Sequence, residues 1–466
     1  MKVLLVIPPA TERRRVYSLP SLGIAHIAAV LMARHEVMVL DYAVHGFSER
    51  RFDRAVRSYQ PDCVGFGCTS PMFAYAVGLA RIVREAAPRA KIVFGGPHVT
   101  ALPDASVAHG EIDCVVMGEG EYALAELCDV LDGGGSPAGV AGIAWKDDGE
   151  VRVNETRAPI ADLDALPFPA WGLLDMPRYY SRFRPSASMI TARGCPFACT
   201  FCASRLVHGT RVRRRSVEHV MEEIELLANR HGVRYLYFFD DTFTLDRDHT
   251  LALCERLASM RARLSYWCYT RSDCMDPELA RALRRSGCES IGIGFESGSP
   301  EVLMAMNKRC TIEEGRAAAE AVRAAGIFLE GFFVANHPGE TMADFGKTAS
   351  FIRSLDLSFY DINFAVAYPG TALADREGSH GCSDWFTEAT ASRMSSEERK
   401  IAAEVRSLRR RVFTRASFYR LLWRTVRCGS YGAAFIRHTG RVLMTMVSRL
   451  ARPSGSDARL RSDNTS

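Results

Sequence analysis

Two series of short apolar runs, each run followed by a helical stretch, constrain this chain more than any other feature of its sequence. In the first 132 residues, strand-like runs fall at 3–7, 37–40, 64–67, 92–94 and 115–117, with helical patterns such as 24–32 and 74–85 between them. Runs this apolar, alternating with helices, imply a parallel sheet covered on both faces. A doubly wound, Rossmann-like domain of five strands is expected, its ligand lying beyond the carboxyl ends of the strands. The second series begins near Ala187, with strand candidates at 188–191, 235–239, 266–270, 290–294, 329–334 and 361–365. Its helices are well punctuated. Ser216 can cap a helix whose apolar positions are Val217, Val220, Met221, Ile224 and Leu227, and Gly232 ends it. Asp276-Pro277 opens another that Gly287 closes, while Thr311 with Glu314 and Thr341 with Asp344 fit capping boxes. Six strand–helix units predict a partial (β/α)6 barrel with its chemistry at the loops after the strands.

The α/β chain therefore divides into a doubly wound domain (1–138), a hairpin and proline-punctuated linker (139–186), the partial barrel (187–393), a helical C-terminal segment (394–452) and a disordered tail (453–466). The hairpin is expected around Asp147-Asp148-Gly149, and Pro159, Pro167, Pro169 and Pro177 break the linker. No apolar stretch approaches the roughly 18–20 residues that span a bilayer. The opening Met1-Lys2-Val3-Leu4-Leu5-Val6 runs straight into a strand and lacks the marks of a signal peptide. A cytoplasmic protein without an integral membrane segment is expected. The 14 cysteines then point to thiols kept reduced, as ligands or small hydrophobes. A net charge of +5 spread over 466 residues does not imply nucleic acid. One region is richer: Arg406, Arg409, Arg410, Arg411, Arg415, Arg420, Arg424 and Arg427 crowd together with Phe413, Phe418, Tyr419 and Trp423 between them. Such a run is most often the solvated face of helices capping a barrel. An anionic substrate or a membrane surface are the other partners it could meet.

The chemistry concentrates after the first strand of the second series, in Thr191-Ala192-Arg193-Gly194-Cys195-Pro196-Phe197-Ala198-Cys199-Thr200-Phe201-Cys202. Cys195, Cys199 and Cys202 can wrap three irons of one cubane, leaving the fourth iron open. A zinc site would want a fourth ligand; His208 is at hand, but no paired half-site follows. Cys-x3-Cys-x2-Cys with Phe201 before the last cysteine resembles the radical S-adenosylmethionine superfamily. The resemblance implies a 4Fe-4S cluster whose open iron binds S-adenosylmethionine, which an electron cleaves to a radical that abstracts hydrogen from the substrate. A flavodoxin- or ferredoxin-type donor would supply that electron.

Further motifs follow in the family's order. Asp240 and Asp241 close the second barrel strand where relatives meet the methionine ammonium. Arg271 ends the third and could grip the methionine carboxylate. Glu296 and Ser297, in Gly294-Phe295-Glu296-Ser297-Gly298, offer an acceptor and a hydroxyl to a ribose. Val334 lies in the segment that would flank adenine, where Asn336-His337 replaces the small residues usual in relatives. No residue is assigned as the catalytic acid, base or nucleophile.

The doubly wound domain ahead of the barrel resembles the cobalamin-binding class of that superfamily. The matching residues are Pro8-Pro9, Leu19-Pro20-Ser21-Leu22-Gly23, Gly95-Gly96-Pro97-His98 and Gly118-Glu119-Gly120-Glu121. Gly95, Gly96, Gly118, Glu119 and Gly120 would face the corrin, because glycine turns let backbone approach a flat ligand. The Asp-x-His-x-x-Gly motif of cobalt ligation is absent, and His45 sits at the wrong spacing. The class implies radical methylation of a small molecule, with cyclisation of the anaerobic tetrapyrrole-cyclase kind as the alternative chemistry and a non-catalytic cobalamin sensor as the alternative outside enzymes. A methylthiotransferase would need a second cysteine cradle, which Cys63, Cys68, Cys114 and Cys128 do not form.

Overall fold

The computed structural model describes residues 1–9, 19–181, 184–262, 264–377 and 394–411. The first sheet is built from β1 (Lys2–Ile7), β2 (Glu36–Asp41), β3 (Cys63–Gly67), β4 (Lys91–Gly95), β5 (Cys114–Val116), β6 (Ile143–Asp147) and β7 (Glu150–Val153), in the order β2-β1-β3-β4-β5-β6-β7. The first five strands are parallel, and the β6–β7 hairpin joins β5 antiparallel. The hairpin thus extends this sheet by two strands instead of standing apart as a connector. Successive β1 residues explain the unbroken apolar run: Leu4 and Val6 enter the core on one face, Val3 and Leu5 the core on the other. Cys63, Cys114 and Cys128 are buried in the second of these cores.

The second sheet follows as β8 (Tyr180–Ser181), β9 (Arg184–Met189), β12 (Tyr235–Phe238), β13 (Ser265–Arg271), β14 (Cys288–Glu296), β15 (Phe328–Ala335) and β16 (Phe359–Phe364), with the short pair β10 (Ala192–Arg193) and β11 (Arg213–Arg214) outside it. Its order is β16-β15-β14-β13-β12-β9-β8, parallel except at the β8 edge. β9 begins four residues before the expected run and stops at Met189. Residues Ser186–Met189 pair with Tyr235–Phe238, and Thr191 is held instead by the Asp240 carboxylate.

Alternation along these strands separates two faces. Leu236, Phe238, Cys268, Ile291, Ile293, Leu329, Phe333 and Ile362 pack in the core that also contains helical residues such as Val220, Ile224 and Leu283. The other face carries Tyr237, Trp267, Tyr269 and Phe332, whose rings contact one another in series along with Phe239. Gly292 makes this possible. A Cβ there would lie 2.7 Å from the Phe332 ring and 3.0 Å from those of Trp267 and Tyr269.

The helix caps read from sequence are formed: Ser216 accepts from His219 N, Asp276 from Leu279 N, and both Thr311/Glu314 and Thr341/Asp344 close reciprocal boxes. Helix Ser396–Arg411 lays Ile401, Val405 and Leu408 on the barrel core, and the Tyr360 hydroxyl donates to Leu408 O at 2.6 Å. Arg415, Arg420, Arg424 and Arg427, the aromatic residues among them and the tail from 453 lie outside the described residues. Among the described residues no helix is long and apolar enough to cross a membrane.

Candidate active site

The cysteine loop is fixed through its backbone. Gly194 has φ +93°, and a Cβ on it would lie 2.3 Å from Arg211 O, so only glycine fits. Beyond it, Cys195 N donates to Gly209 O, Thr200 N to Met306 O, and Asn307 Nδ2 to Ala198 O at 2.8 Å. Cys195, Cys199 and Cys202 are unoxidised, half-buried, and line one cavity of about 220 Å3. Burial pushes the Cys195 thiol up, and that of Cys202 to about 11, with the neighbouring thiols adding to the rise. Cationic iron would reverse that penalty, since a coordinating thiol gives up its proton. Among the described residues no group of three or more His, Cys, Asp or Glu side chains forms a single-ion site. Three soft donors around a roomy cavity fit a cluster.

Of the residues expected around the cofactor, Phe201, Asp241, Arg271 and Glu296 line this cavity. Ser204 Oγ donates to Asp241. The acidic pair, however, is split. Asp240 is buried and accepts from Thr191 N at 3.0 Å, Thr191 Oγ1 at 2.7 Å and Ala192 N at 2.6 Å. Burial raises its carboxyl to about 6 against the pull of those donors. Asp240 therefore ties the end of β9 to β12 and does not line the cysteine cavity. Ser297 is also drawn away: its hydroxyl bonds Thr348 Oγ1 at 3.0 Å and accepts from Ser299 N. Val334 does not line the cavity either; Phe332, two residues earlier on the same face of β15, does. Asn336 has φ +56°, a left-handed conformation that asparagine tolerates better than most residues.

Arg271 lines the cavity with its fork already engaged. Its Nε and Nη2 donate to the two Asp273 oxygens, each at 2.9 Å, and Nη2 also to Lys308 O at 2.6 Å. Any grip on a methionine carboxylate would fall to Nη1, which lies 3.7 Å from Cys199 Sγ. Sequence reading missed Lys308. It is buried, lines the cavity and donates to Glu296 Oε1 at 2.7 Å. Its chain neighbours carry no motif; only the fold brings it to the end of β14, where Glu296 has φ +61°.

A second, larger cavity of about 480 Å3 opens at the carboxyl ends of β1, β3, β4 and β5. Gly95, Gly96, Gly118, Glu119 and Gly120 all line it, together with apolar Leu5, Ile7, Ile24 and Val93. Gly96 has φ +104°, and a Cβ would lie 2.6 Å from Cys68 O. A glycine-walled, largely apolar recess fits a bulky flat ligand such as cobalamin. His45 does not line it and faces Asp175 at 3.7 Å.

The far wall of this recess comes from the barrel. Helix Ser204–His208 continues from Cys202; Ser204 lines the cysteine cavity, and Val207 and His208 line the glycine-walled one. Glu119 secures the junction. Its carboxylate accepts from Arg213 at 2.8 and 2.9 Å, His208 Nδ1 lies 3.1 Å away, Ile160 N donates at 2.7 Å, and Arg193 stands at 3.4 Å. Arg193 also pairs with Glu121 at 2.6 Å. Burial alone would raise Glu119, but the His208 and Arg213 bonds and the Arg193 charge bring it down to about 2. Glu119, expected at the corrin, lines the recess while its carboxylate is bonded to the barrel.

Comparison with known proteins agrees with this geometry. Residues 189–352 match the family model described as Radical SAM superfamily, and residues 13–128 that of the B12 binding domain. A protein of Pyrococcus horikoshii described as the uncharacterized methyltransferase PH0819 is 33% identical over 377 residues, covering 80% of this chain and 82% of that one. The cytidylyl-2-hydroxyethylphosphonate methyltransferase of Streptomyces wedmorensis is 28% identical, covering 79% of each chain. The radical S-adenosylmethionine methyltransferase TsrM of Kitasatospora setae, solved with cobalamin and a [4Fe-4S] cluster, shares the fold with a TM-score of 0.67 at 21% identity, covering 80% of this chain and 73% of that one.

Proposed function

The chain belongs to the radical S-adenosylmethionine superfamily and carries a B12-binding domain, and from that premise we propose that it methylates an unactivated carbon of a small molecule. The observation that carries the reading is the shared wall: one five-residue helix leads from Cys202 and contributes to both cavities. When bound, the cluster would supply the electron that cleaves S-adenosylmethionine, and cobalamin the methyl group.

The chain's own residues hold and orient. Cys195, Cys199 and Cys202 would hold the cluster. Asp241, with one hydroxyl donor from Ser204, offers a carboxylate to a ligand ammonium. Glu296 and Lys308 place a neutralised pair at the cavity wall, so a polar ligand meets fixed dipoles there. Tyr269 and Phe332 supply an apolar surface for a base or a substrate ring. Gly95, Gly96, Gly118 and Gly120 would admit the corrin. A small acidic electron-transfer protein is the proposed reductant.

Reduced, reconstituted protein given methyl-labelled S-adenosylmethionine and candidate substrates should release 5′-deoxyadenosine and yield labelled product. Deoxyadenosine with unlabelled product would overturn methyl transfer in favour of cyclisation. No deoxyadenosine would favour a sensor.

A further inference from the structure

We infer that Arg271 is a positioning residue for the cluster, a fixed cation held against Cys199 that sets the ease of its reduction. The inference rests on Cys195, Cys199 and Cys202 being the ligands.

The guanidinium is held in place by internal contacts of Nε and Nη2. Beyond its two bonds to Asp273 and one to Lys308 O, Nη2 lies 3.0 Å from Cys310 Sγ and Nη1 3.7 Å from Cys199 Sγ. Its Cζ lies 3.6 Å from the centroid of the Phe197 ring, inside the cysteine loop. Contacts from Asp273 in the turn after β13, from the segment at 308–310 and from the loop itself fix one position. Arg271 is 5% exposed, so water screens it little. A donor aimed at a ligating sulfur, with its charge buried, stabilises the form of a cluster that has gained an electron. Asp273 opposes it: its carboxylate sits on the far side of the guanidinium from Cys199, bonded to Nε and Nη2 while Nη1 reaches the sulfur. The two side chains should therefore move the cluster in opposite directions.

The test is the midpoint potential of the reconstituted full chain, followed by the paramagnetic signal of the reduced cluster without S-adenosylmethionine. Arg271→Gln should lower the reduced-to-oxidised ratio at fixed potential at least tenfold, about 59 mV for one electron. Asp273→Asn should raise it, and Arg271→Lys, which keeps the charge, should fall between wild type and Arg271→Gln. Iron content is measured alongside. Unmoved potentials in iron-replete Arg271→Gln and Asp273→Asn would overturn the inference and leave the cluster assignment standing. If Arg271→Gln takes up no iron, Asp273→Asn decides: a raised potential supports the inference and an unchanged one overturns it. A wild-type chain that forms no cubane would instead overturn the cluster assignment itself.

Discussion

The Glu119 carboxylate takes both arms of the Arg213 guanidinium, at 2.8 and 2.9 Å, across the boundary between the first sheet and the barrel. Arg193 and Arg213 flank the cysteine loop on either side, so one carboxylate from the glycine-walled cavity braces both ends of the loop.

Removing one partner of a buried pair strands the other, at a cost of roughly 3–5 kcal/mol. Glu119→Gln should therefore lower the thermal midpoint markedly, and adding Arg213→Met should cost less than the sum of the single changes. The acid limb carries a matching signature. Glu119 is held at about 2 against an ordinary 4.5, so its contribution is in place above about pH 4.5 and is lost as pH falls through about 2. Unfolding curves measured against pH should lose that segment in Glu119→Gln.

Asp240 and Asp241 should part company on substitution. Asp241→Asn should weaken S-adenosylmethionine binding tenfold or more, by calorimetry on cluster-loaded protein, with little change in thermal midpoint. Asp240→Asn should change stability and its pH dependence. Its folded-state carboxyl is raised from 3.8 to about 6, so its contribution falls as pH rises between those values. The variant should not show that fall.

Gly194→Ala should abolish most cluster loading. The new methyl meets Arg211 O at 2.3 Å on a backbone with φ +93°, and the loop must shift. Iron per chain should drop several-fold while far-ultraviolet circular dichroism is retained. Full iron loading would refute the steric argument.

Gly96→Ala tests the other recess. A methyl 2.6 Å from Cys68 O displaces the turn that lines it. Cobalamin affinity, read from its visible absorption on titration, should fall at least tenfold with iron content unchanged.

Both sheets were legible because their strands are apolar and regularly spaced, and the cysteine trio because its spacing is local. What escaped the sequence is whatever depends on which way a side chain turns. Adjacent acids such as Asp240 and Asp241 look equivalent in a string, yet one is drawn to the backbone of Thr191 and Ala192 and the other reaches the cavity. Ser297 resembles a ribose donor until Thr348, on a helix 51 residues away, claims it. Lys308 has no motif around it, and only strand packing brings it to Glu296. Glycine turns gave the recess of the first domain, but the use of Glu119 as a brace required both domains in contact.

The bare inner face at Gly292 decides how closely the aromatic rings can gather there. With no side chain there, the rings of Trp267, Tyr269 and Phe332 close over the strand, and Tyr269 and Phe332 turn their surface to the cysteine cavity. Gly292→Ala would push at least one of these rings aside and so reshape the apolar wall that the cavity offers its ligand.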